Sequence, residues 1–173
     1  MITKNSAILA LFIGLGLTLG GPILSYAAVG TPATCPILTG SYLCKSEGKD
    51  VTLILAQEIV NNQTIYTLTE DNQSTQLPSD NVEYKIDDKA NNITGTARFV
   101  CEHQSFNSYL KGQRTDGTAK VIESWDLVQG LSLDGVKNLS VHVKGSSMSQ
   151  GVTKPVDDLS SCLRTASSAL KTK

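Results

Sequence analysis

Histidine, tryptophan and long runs of like charge are nearly missing from this chain, and those shortages remove most kinds of catalyst and binder. The 173 residues hold two histidines, one tryptophan and four cysteines. No Cys-x-x-Cys pair occurs, and His103 and His142 stand at no ligand spacing from one another or from a cysteine pair, so no metal site is expected. There is no Gly-x-Ser-x-Gly elbow. Cysteines held in disulfides offer no thiolate, and neither histidine has a positioned partner in sequence, so nucleophilic and general-base catalysis lack their parts. Glu123 and Asp126 flank Trp125, but on a strand they point to opposite faces and form no acid pair. Fifteen basic and 16 acidic side chains, without long runs of either sign, leave no electrostatic footprint for nucleic acid or an anionic membrane. The reading is a protein that is not an enzyme and uses no cofactor.

What the chain does have begins at its N-terminus. Lys4, the apolar run Ala7 to Leu19 and the small residues Ser25 and Ala27 around Tyr26 predict a signal peptide over residues 1–27. The uncharged stretch Ala7 to Tyr26 has about the length that spans a bilayer, but Gly20, Gly21 and Pro22 break it and no basic cluster follows. Cys35 follows Thr-Pro-Ala-Thr, which is no lipid-attachment context. Residues 28–173 are then a single exported domain with no integral membrane segment, secreted or periplasmic. Asn62, Asn72, Asn92 and Asn138 open Asn-x-Ser/Thr triplets that carry glycans only in a eukaryotic host.

All four cysteines, Cys35, Cys44, Cys101 and Cys162, lie in that domain, and an even count in an exported chain predicts two disulfides. Three pairings are possible. Locality favours Cys35 with Cys44 and Cys101 with Cys162.

The domain reads as short strands separated by turn residues at intervals of roughly 10 to 15. Strands are expected over 41–46, 51–57, 64–69, 74–77, 82–86, 94–102, 105–111, 119–128 and 138–144. Alternation is cleanest where Val82, Tyr84 and Ile86 oppose Glu83 and Lys85, and where Leu139, Val141 and Val143 oppose Ser140, His142 and Lys144. Val51 to Ala56 has apolar residues on both faces, as for a strand covered on both faces or central in its sheet. Asp116-Gly117 is the strongest hairpin signal. From Asp157 to Leu170, the residues Leu159, Cys162, Leu163, Ala166 and Leu170 fall on one helical face, so a short C-terminal helix competes with a last strand near 161–165. Eight or nine antiparallel strands joined by hairpins must close into a barrel or split into a sandwich. The absence of a long return loop favours an up-and-down barrel.

Near the first strand, Gly40-x-Tyr42 resembles the Gly-x-Trp that opens lipocalins and related calycins, with Tyr42 where that family has tryptophan. The resemblance implies a barrel holding a small apolar molecule, with Tyr42 plugging its base and Arg164 stacked over the ring. Tyr42-x-Cys44 followed by a turn with Gly48 is similar to the opening of periplasmic inhibitors of C-type lysozyme, although this chain is longer and has two further cysteines. That resemblance implies an extracytoplasmic protein partner bound through loops.

An eight-stranded barrel is just wide enough to be filled by side chains or to hold one small ligand. The inward aromatics are then the candidate ligand-binding residues: Trp125 first, followed by Tyr84, Tyr66 and Phe99. Trp125 shares a strand face with Val121, Glu123 and Leu127, a charge among apolar groups. The expected function is binding of a small apolar or amphipathic ligand. A protein-binding inhibitor module and a structural envelope component are the alternatives.

Overall fold

The computed structural model describes residues 35–46, 49–135 and 138–166, so the expected signal peptide lies outside the described residues. Ten strands follow one another: β1 (Gly40–Ser46), β2 (Lys49–Val60), β3 (Gln63–Glu70), β4 (Gln73–Pro78), β5 (Glu83–Asp88), β6 (Ile93–Glu102), β7 (Ser105–Thr115), β8 (Val121–Asp134), β9 (Asn138–Ser149) and β10 (Val152–Ala166). They form one antiparallel sheet in the order β4-β3-β2-β1-β10-β9-β8-β7-β6-β5, curled into a half-barrel. First and last strands are neighbours in the middle, and the two free edges, β4 and β5, are consecutive in the chain. The connection between those edges bonds to both sides, Ser79 N–H donating to the Thr64 carbonyl at 2.9 Å and Asn81 N–H to that of Phe99 at 3.0 Å.

Hairpin geometry follows from local chemistry. Asn61-Asn62, Asp71-Asn72, His103-Gln104 and Gln150-Gly151 all take positive φ and close two-residue turns whose twist matches that of the strands. Asp116-Gly117 behaves differently. Gly117 is not among the residues with positive φ, whereas Ala119 is, at 65°. The Asp116 carboxylate organises this loop, accepting from Thr118 N–H, Thr118 Oγ1–H and Lys120 N–H.

Period-two burial divides the sheet into a dry concave face and a wet outer one. Tyr42, Cys44, Leu53, Leu55, Tyr66, Leu68, Leu77, Phe99, Phe106, Leu131, Leu139 and Val141 are buried on the inside. Residues 35–39 plug one end, with Leu38 fully buried and the Pro36 carbonyl accepting the Tyr66 hydroxyl at 2.6 Å.

Several expectations are corrected. The strands number ten rather than eight or nine, and the C-terminal segment is β10, with no helix among the described residues. Its apolar residues obey a period of two: Cys162 is buried beside β1, while Leu159 and Leu163 are 66% and 55% exposed on the outer face. Pro155 falls where β10 runs past its register with β1, so one strand edge is unpaired and a missing N–H is tolerated. The disulfides are Cys35–Cys101 and Cys44–Cys162, not the local pairing. Extended chain through β1 holds Cys35 and Cys44 well apart, and the β1–β10 pairing sets Cys44 beside Cys162, with Cα atoms 4.2 Å apart. In β2, the outer residues Thr52, Ile54 and Ala56 are exposed, so that strand is not covered on both faces; it lies inside the sheet, between β1 and β3.

Candidate functional site

Three of the four expected ligand-facing aromatics form one row across the concave face. Tyr66 meets Phe106 at 4.4 Å between ring centroids, Phe106 stacks near Phe99 at 6.2 Å, and Phe99 lies 6.1 Å from Tyr84. Tyr66, Phe99 and Phe106 are fully buried, and the Tyr84 hydroxyl donates to the Asp80 carboxylate. Desolvation pushes both the Tyr66 and the Tyr84 phenol far above their ordinary range, so both stay neutral. Beside the N-terminal plug, then, the interior is solid.

Trp125 stands apart from this row. It lies six residues along β8 from Leu131, which faces Phe106, roughly 20 Å by strand rise. Its register partner on β7 is Gly112, itself opposite Gly95 on β6. A methyl group on Gly112 would come within 2.7 Å of the Trp125 ring, so the indole occupies the space a side chain there would otherwise fill, while at Gly95 a Cβ would meet the Lys111 carbonyl oxygen and the Gly112 backbone. The indole Nε1–H is buried without a hydrogen-bond partner among the described residues.

Two further inner-face groups escape a sequence reading based on aromatics. Glu70 continues the inward series Tyr66, Leu68, Glu70 and is only 6% exposed, and Ser108, between Phe106 and Leu110, is fully buried. Glu70 Oε2 and Ser108 Oγ have no partner among the described residues. Burial first, and the nearby Asp71 charge second, push the Glu70 carboxyl up to about 7. The signal was present as a polar residue in an inward parity position, but it is read only once register is known.

At the plugged end, the Arg164 guanidinium lies 5.9 Å from the centroid of the Tyr42 ring and donates to the Thr39 carbonyl. The Tyr42 hydroxyl donates to the Leu38 carbonyl at 2.7 Å. Gly40 is required here, because a Cβ would fall 2.8 Å from Arg164 Nε and 3.2 Å from the Tyr42 ring.

The remaining polar groups pair on the surface or rim. Glu123 bridges to Arg114 at 2.9 Å on the inner face, while Asp126 reaches Lys111 at 3.6 Å on the outer face. His142 bonds Asp157 at 2.8 Å in the open, which holds the Asp157 carboxyl below its ordinary value. His103 sits in a hairpin turn. Among the described residues no three His, Cys, Asp or Glu side chains gather as a metal site would need. An open groove of about 510 Å³ crosses β6 to β10, lined by Thr94, Gly95, Lys111, Gly112, Trp125 and Met148 among others. No protein-family model, curated protein or solved structure matches this chain.

Proposed function

We propose that this is an exported binding protein, not an enzyme, that takes a small apolar or amphipathic ligand on the concave face of its half-barrel. The observation that carries the reading is the set of stranded polar atoms there. Glu70 Oε2, Ser108 Oγ and Trp125 Nε1 are buried within a mostly apolar lining and have no partner among the described residues. A buried polar group without a partner costs roughly 1 to 3 kcal/mol, and a bound molecule that supplies the partners recovers that cost. The Tyr42 and Arg164 arrangement supports the likeness to lipocalin-type barrels, in which those two residues are structural and the ligand lies beyond them. Two disulfides fit an oxidising, extracytoplasmic compartment.

Native mass spectrometry of the oxidised protein from its own host, before and after organic extraction, tests this. The expected result is a discrete extra mass that extraction removes, with a change in the emission of Trp125, the sole tryptophan. Bare protein mass in both samples, with no emission change on adding amphiphiles, refutes it and moves attention to protein partners at the loops.

A further inference from the structure

The groove that crosses β6 to β10 lies away from the packed interior. By register its side chains fall in two rows, Thr96, Lys111, Asp126 and Ser146 in one, and Thr94, Gln113, Ser124, Met148 and Thr153 in the other. Leu127 turns inward, so Asp126 and both rows point outward. The rows stand two residues apart along each strand, roughly 7 Å, and the longer one spans five strands, roughly 19 Å. Gly95, Gly112 and Trp125 lie level with one another between them. The space of about 510 Å³ is open to solvent and within the size range of small-molecule sites.

The chemistry of this lining is neutral and mixed. Lys111 and Asp126 carry its only charges and pair with each other at 3.6 Å. Five hydroxyls and the Gln113 amide supply donors and acceptors, while Met148 and the threonine methyls supply carbon surface. Elsewhere in the sheet Thr69 and Ser74 bond one another, and Ser79, Ser105 and Thr165 bond main-chain carbonyls; among the described residues the groove's hydroxyls and its amide have no such partner. An apolar tail would stay wet in so open a groove. A polyanion would meet a single cation that is already paired. An extended peptide would find both edges of β6 to β9 taken. A sugar ring matches both parts of the lining, with hydroxyls at its edge and C–H groups on its faces.

We propose that this groove binds an uncharged linear oligosaccharide, whose hydroxyls bond the two rows of side chains. The site is separate from the concave face, and the two readings stand or fall independently.

Isothermal titration calorimetry of the oxidised protein with cellohexaose, maltohexaose and N-acetylchitohexaose forms the test. At least one should bind with a Kd of about 1 mM or tighter. Gln113→Ala should weaken that binding roughly three- to tenfold, and Ser124→Arg, which sends a long charged side chain into the groove, should abolish it. Ser161→Ala, on the same face of β10 but outside the groove, should leave it unchanged. A circular dichroism melt shows which variants fold, and the exposed Gln113 carries the test if Ser124→Arg does not. No heat from any of the three sugars at about 10 mM, or binding that Gln113→Ala and Ser124→Arg both leave intact, overturns the proposal. Heparin binding more tightly than all three neutral chains overturns the uncharged class.

Discussion

Removing the Cys44–Cys162 bridge should cost the protein about 4 kcal/mol of stability, and the pattern of loss distinguishes this disulfide framework from its rivals. In the chain-entropy account a disulfide stabilises by closing a loop in the unfolded chain, and its effect grows slowly with loop length. Cys44 and Cys162 are separated by 118 residues, Cys35 and Cys101 by 66. The two loops interleave, however. With Cys35–Cys101 in place, the shorter path runs from Cys44 back to Cys35 and on from Cys101 to Cys162, about 70 residues, which is worth about 4 kcal/mol. Taken alone, without the other bridge, the same bond would be worth about 5 kcal/mol. Either bridge removed singly should therefore cost nearly the same, a shift of roughly 8 to 16 °C in Tm for a domain of this size. The assay is urea and thermal unfolding of Cys44→Ala/Cys162→Ala and of Cys35→Ala/Cys101→Ala beside the oxidised wild type, with a non-reducing peptide map of each. A peptide joining Cys35 to Cys44, or a loss below about 1 kcal/mol for the Cys44 and Cys162 pair, would refute the reasoning. The local framework closes one very short loop and one long one, so it predicts unequal effects.

Other outcomes follow from single positions. Gly117→Ala should be neutral or stabilising by up to about 1 kcal/mol, since Gly117 avoids positive φ and has open space around its Cα; Ala119→Gly should stabilise by about 1 kcal/mol because Ala119 holds a left-handed conformation, both read by urea unfolding. Gly145→Ala should destabilise by more than about 3 kcal/mol or abolish folding, because a Cβ would meet the Asp126 carbonyl oxygen and φ is 141°; soluble yield and a melt decide it. Arg164→Met should cost roughly 1 to 3 kcal/mol through loss of the Thr39 bond and the contact with Tyr42, again by urea unfolding. The Glu70 carboxyl is raised from 4.5 to about 7, so between those values the folded chain binds more protons than the unfolded one. Stability from this group is therefore fully present below pH 4.5 and is lost as pH rises through about 7; unfolding curves across that range should show the fall, and Glu70→Gln should flatten it.

Much of the sheet was legible from residue order. Strand parity in 82–86 and 138–144 is visible as alternation, and Tyr84, Ile86, Leu139, Val141 and Val143 turn inward as their spacing requires, whereas Val82 falls before β5 and is exposed. The turns Asn61-Asn62 and Asp71-Asn72 announce themselves by residue type. His103-Gln104 is less plain, because glutamine is not a usual residue for a left-handed conformation, although it takes one here. The last strand was ambiguous for a related reason: Leu159, Cys162, Leu163 and Ala166 fit a helical face as well as Val156, Cys162 and Arg164 fit a strand. Packing against β1 decides between them. Of the candidate site, the aromatics were found by type, but their grouping was not. Tyr66, Phe99 and Tyr84 join a row completed by Phe106, while Trp125 sits apart, against Gly112. Glu70 and Ser108 do not stand out in the sequence, because a polar residue in a strand looks like surface until its neighbours are placed.

By itself, the order of residues determined the all-β class, most strand positions and which side chains share a face, since period-two alternation and turn chemistry act over a few residues. Only tertiary structure decided that β1 lies beside β10, that Cys44 meets Cys162 and Cys35 meets Cys101, and that a glutamate is stranded inside. These depend on which distant strands pair and in what register, and that outcome is set by burying one common face of ten strands at once.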